Sequence, residues 1–76
     1  MEKEDELIGI LHCLFRMYQI YSSQKTEAGK ERWKEHLSLG GRYFKEECEK
    51  TYNINQSLSE WIRFIRNIEK QKNRTL

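Results

Sequence analysis

Four side chains in this sequence, His12, Cys13, His36 and Cys48, have the soft donor atoms that metal or thiol chemistry requires. Their spacing argues against both. Adjacent residues on a helix point about 100° apart, so His12 and Cys13 do not chelate one ion, and no Cys-x-x-Cys or His-x-x-x-His pair is present. A reactive thiol needs an electropositive opening, whereas Cys48 lies in Glu46-Glu47-Cys48-Glu49, where carboxylates raise its pKa. Gly40-Gly41 lacks the Lys-Ser/Thr of a phosphate-cradling loop. The expectation is a non-enzymatic protein without metal or cofactor, in which both cysteines are small buried apolar residues and the two histidines are partly exposed.

A second set of residues has the right spacing for a different task. Arg63, Arg66, Lys70 and Arg74 recur at offsets of three, four and four, which on a helix is a single stripe. Such a row suits anion binding, and it also suits a solvated helix end, since cations gather where the helix dipole is negative. The whole chain has a net charge of only +2, a field too weak to imply nucleic acid by itself. The charge is unevenly spread. Glu2, Glu4, Asp5 and Glu6 against Lys3 leave the first eight residues at −3, and the last sixteen stand at +4.

The elements that position these groups are helices. No proline interrupts the chain, 34% of it is charged, and nine aromatic residues supply apolar area that disordered segments lack. The first helix is predicted over residues 4–22. Leu7, Leu11, Leu14, Tyr18 and Tyr21 form its central stripe, flanked by Ile10 and Met17 on one side and Ile8 and Phe15 on the other. Asp5, Gly9, His12, Arg16, Gln19 and Ser23 leave only a narrow polar strip, so this helix reads as central. Ser23 or Thr26 caps a second helix over 26–39, weakly amphipathic with Ala28, Trp33 and Leu37 among charges. Gly40-Gly41 reads as a turn, with one helix bent at the dipeptide as the alternative, and a third helix follows over 42–52, ended by Asn53. Ser57 with Glu60 is a capping box opening a fourth helix over 57–72, whose inner face is Leu58, Trp61, Ile62, Ile65 and Ile68.

The expected fold is therefore all-α, one domain over residues 1–76, a compact bundle of three to four short helices around a hydrophobic N-terminal helix. No leader peptide or membrane-length apolar run is visible, which suggests a reducing, cytoplasmic setting and no membrane partner. Three short amphipathic helices do not fully cover so apolar a first helix, and this favours a homodimer or a partner protein. The residues expected at such an interface are Ile8, Ile10, Phe15, Met17, Ile20, Tyr21, Trp33, Tyr43 and Phe64.

The stretch FKEECEKTYNINQSLSEWIRFIRN resembles two families of small DNA-binding proteins over about a third of the chain, residues 44–67. In the helix-turn-helix group a helix, a tight turn and a second helix with a basic outer face follow in this order. Cys48, Tyr52, Ile54, Leu58 and Ile62 match the inner positions, and Asn53 stands where that family prefers glycine. The ribbon-helix-helix group often begins its last helix much like SLSEWIR, after a strand that His36-Leu37-Ser38-Leu39 would have to supply. The resemblance implies that the helix from Ser57 approaches a DNA groove. Gln56, Ser59 and Arg63 would then be candidate base readers, with Arg66, Lys70 and Arg74, and Lys72 nearby, on phosphates. Three readings follow: a nucleic-acid-binding regulator, a protein-binding inhibitor or adaptor of phage, viral or mobile-element type, and a structural helical subunit.

Overall fold

Helix α1, Lys3–Ser23, carries three acids in its first turn, where the positive end of the helix dipole favours them. It buries Leu7, Leu11 and Leu14, three positions on one 3.6-residue stripe. In the computed structural model, which describes residues 2–74 except the side chain of Arg74, two further helices follow, α2 at Glu27–Tyr52 and α3 at Leu58–Arg74. The described residues contain no strand, so the chain is all-α, and residues 36–39 are helical.

The helix ends follow from side-chain chemistry. Thr26 Oγ1 accepts from the Gly29 amide at 3.0 Å and caps α2, while Ser23 instead donates to the Ile20 carbonyl. Asn53 closes α2 in the left-handed region, φ 56° and ψ 40°, with its amide donating to Glu49 O. Ser57 and Glu60 cap each other reciprocally: Ser57 N–H donates to Glu60 Oε1 at 3.2 Å and Glu60 N–H to Ser57 Oγ at 3.3 Å.

One boundary differs from expectation. Residues 26–39 and 42–52 are not two helices; α2 runs unbroken through Gly40-Gly41. The reason is close approach. A Cβ on Gly40 would sit 2.9 Å from Leu14 Cδ2 and 3.1 Å from Met17 Sδ, and one on Gly41 would sit 3.0 Å from Leu58 Cδ2. The dipeptide costs about 2 kcal/mol of helix propensity relative to two alanines. It admits α1 on one side and α3 on the other.

Helix α2 is antiparallel to α1, with Gly40 against Leu14 and Met17 and Lys3 paired to Glu47 at 3.1 Å. The connection from Asn53 to Ser57 then brings Leu58 back beside Gly41, and α3 runs antiparallel to α1, from Ile62 beside Phe15 to Lys72 beside Asp5. Leu7, Leu11, Leu14, Phe44, Cys48, Trp61 and Ile65 form the core where all three helices meet. At 1.5 Å per residue α2 is about 39 Å long and α3 about 25 Å, so α3 spans only part of the α1/α2 hairpin. The hairpin extends past α3 at its Tyr21 and Trp33 end. No helix among the described residues is long and apolar enough to cross a membrane.

Candidate binding surface

The basic row emerges on the outer face of α3. Ser59, Ile62, Arg63, Arg66, Asn67 and Lys70 line one shallow, open depression of about 290 Å³. Trp61 and Ile65 point the other way and are fully buried, which holds Arg63, Arg66 and Lys70 outward through the helical period alone. Among the described residues, none of these three cations makes an ion pair, although Arg66 places its guanidinium carbon 5.7 Å from the centre of the Phe15 ring. The Arg74 side chain lies outside the described residues.

Other cations of the fold are paired with carboxylates. Lys72 donates to Asp5 Oδ1 at 2.7 Å and Glu2 Oε2 at 2.8 Å, two carboxylates that push its pKa above the usual lysine range, and Glu4 Oε1 lies 3.7 Å away. It therefore faces the start of α1, not the outer row where a phosphate contact would place it. The opposite charges at the two ends of the sequence meet because α3 is antiparallel to α1. Lys3 and Lys45 are likewise held by Glu47 and Glu49, and each lysine lowers the pKa of its carboxylate partner. His12 Nε2 reaches Glu69 Oε2, a second tie between α1 and α3.

Of the remaining residues expected to read bases, Ser59 lies in the basic depression and Gln56 does not line it. Gln56 is half-buried on the connection, and its backbone amide helps hold the Glu49 carboxylate ionised.

The residues expected at a self-association interface do not form one surface. Ile8, Ile10 and Met17 pack against the core of their own chain, and Ile20, Tyr21 and Trp33 are half-buried, with Trp33 edge-on to His36. Phe64 stacks edge-on against Tyr52 and Trp61, and Tyr43 is exposed on another side of α2. Of the set, Phe15 lines an apolar groove of about 360 Å³, together with Leu14, Tyr18, Leu37, Gly41, Leu58 and Ile62. All of these but Gly41 are legible in the sequence as apolar stripe or flank positions, but not as a shared groove.

The cysteines differ from each other, contrary to the expectation that both are buried. Cys13 is exposed, because at 100° per residue it points roughly 120° away from the Leu7–Leu11–Leu14 stripe, and Cys48 is fully enclosed. Burial, and then the charges of Glu47 and Glu49, push the Cys48 thiol up to about 11. No group of three or more His, Cys, Asp or Glu among the described residues is placed to hold a metal ion. Among the described residues, the Tyr52 hydroxyl and the Trp61 indole nitrogen are buried without a well-formed hydrogen bond, although the indole helps hold the Glu49 carboxylate ionised. Comparison of the chain with protein-family models, with curated proteins and with solved structures gives no match.

Proposed function

We propose that this protein is a non-enzymatic regulator that binds nucleic acid through the outer face of α3. The observation that carries the reading is the contrast among its cations: Lys3, Lys45 and Lys72 are neutralised by carboxylates, whereas Arg63, Arg66 and Lys70 project together without a carboxylate lining their depression. From Arg63 to Lys70 the row is about 10 Å long, at 1.5 Å per residue. Successive phosphates of one strand of a duplex advance about 3.4 Å along the axis, so the row spans roughly three. Ser59 and Asn67 beside it add neutral donors for phosphate or base edges.

Three phosphate contacts give a slope of about −2.7 in log affinity against log salt, and hence about a 40-fold loss between 50 and 200 mM salt. The double substitution Arg63→Glu and Arg66→Glu should flatten that slope to about −0.9 while leaving the helical circular-dichroism signal unchanged. Absence of any DNA or RNA retardation at ~50 mM salt would remove the reading.

A further inference from the structure

We infer that the apolar groove between the three helices is a docking site for an amphipathic helix of an acidic partner protein. Its walls are Phe15 and Tyr18 from α1, Leu37 from α2, and Leu58 and Ile62 from α3, and its floor at Gly41 is bare backbone. Tyr18 remains 58% exposed and Phe15 39%, so the aromatic wall on α1 is only partly covered by its own chain. An apolar groove between helices receives a helix that offers anchors at i, i+3 or i+4, and i+7.

The charges around the groove select the sign of the partner. Ile62 is shared between the groove and the basic depression, which puts Arg63 and Arg66 on the adjoining rim, and Arg66 overhangs the Phe15 ring. On α2, Lys34 lies two turns before Gly41 on the same stripe. No carboxylate lines either surface, and Arg63, Arg66 and Lys34 make no ion pair among the described residues. A helix with apolar anchors and acidic flanks satisfies both.

The same charges disfavour a second copy as the occupant. Two-fold pairing through the groove would set Arg63, Arg66 and Lys34 of one chain near those of the other, a like-charge contact. The densest acidic cluster of the chain, at the start of α1, is already engaged by Lys72 and Lys3. The inference does not depend on nucleic-acid binding by α3.

The test titrates the full chain with a panel of short synthetic helices carrying leucines at i, i+3 and i+7 in different registers and glutamates elsewhere, followed by fluorescence anisotropy and by amide chemical shifts. The expected result is saturable binding by at least one member, with shifts concentrated at residues 14–18, 37–41 and 58–62. Tyr18→Ser and Arg66→Glu should each weaken it by roughly tenfold, with the thermal midpoint of Tyr18→Ser unchanged. Failure of the whole panel to bind overturns the inference. So does equal binding of a leucine-to-serine helix, which would be polyanion attraction alone, or of a helix with lysine in place of glutamate. Duplex DNA producing the same shifts at Tyr18 and Leu37 would assign the groove to nucleic acid. Sedimentation of the unliganded chain as a dimer that Tyr18→Ser dissolves would assign it to a second copy.

Discussion

The two ends of the α1/α2 hairpin are built from the same two helices and behave differently because α3 covers only one of them. At the covered end Leu7, Leu11, Phe44, Cys48, Trp61 and Ile65 are all fully buried, and Lys72 and the His12–Glu69 pair tie α3 to α1. At Leu58 α3 gives out, and Tyr18 and Leu37 at that border, with Tyr21 and Trp33 beyond it, are half-buried or exposed. Stability is concentrated at the first end. The second end is left for contact, with the groove at the border where α3 begins.

Paired truncations separate the two ends of the hairpin most sharply. Trp61→Ala at the covered end should cost about 3–5 kcal/mol in denaturant unfolding, the range for deleting a buried aromatic side chain. Tyr18→Ala at the open end should change stability by no more than about 0.5 kcal/mol. Equal costs would show that the hairpin is one uniform core. Next in size is Gly40→Val, which wedges a branched side chain against Leu14 and Met17 and should cost about 1–3 kcal/mol by separating α1 from α2. A neutral result would mean that the close approach at Gly40 is not what keeps the dipeptide inside a helix.

Thiol reactivity sharpens the same contrast on single atoms. Iodoacetamide should modify the exposed Cys13 in the native protein and reach Cys48 only after unfolding, as mass spectrometry of the digested chain would show. Modification of Cys48 at the Cys13 rate would indicate that the covered end opens readily.

The smallest expected effect is on the pH profile. Glu47, Glu49 and Glu60 are held below their ordinary value of 4.5 by Lys3, Lys45 and Ser57 respectively, so the stability they contribute is present above about pH 4.5 and drains as pH falls through their lowered values. Cys48 acts in the opposite sense. Its folded thiol keeps a proton that the unfolded thiol loses near 9.0, so stability declines from there towards 11. Thermal midpoints should be level between these limits and fall on either side.

Much of the fold was legible in the sequence because local chemistry sets it. The Leu7–Leu11–Leu14 stripe, the Ser57–Glu60 box and the left-handed Asn53 each act within one or two turns, and each appears where its residue types require. The preference for a turn over a continuous helix at Gly40-Gly41 has the same origin. Glycine is a helix breaker by local propensity, and only the distant Leu14, Met17 and Leu58 explain why two of them sit mid-helix. Arg66 and the nearby Lys72 are both expected at phosphates from the sequence, and their neighbours on α1, Phe15 for one and Asp5 for the other, distinguish them.

The pattern of residues along the chain determined that it forms helices, which faces those helices bury and which face of α3 is basic, since each follows from spacing within a single element. The tertiary structure decided how far α3 reaches along the hairpin, which cations are neutralised and where apolar side chains from three helices meet in one groove. Those outcomes depend on side chains brought together from up to seventy positions apart, as Lys72 is with Glu2. Periodicity within a helix carries no information about such pairs.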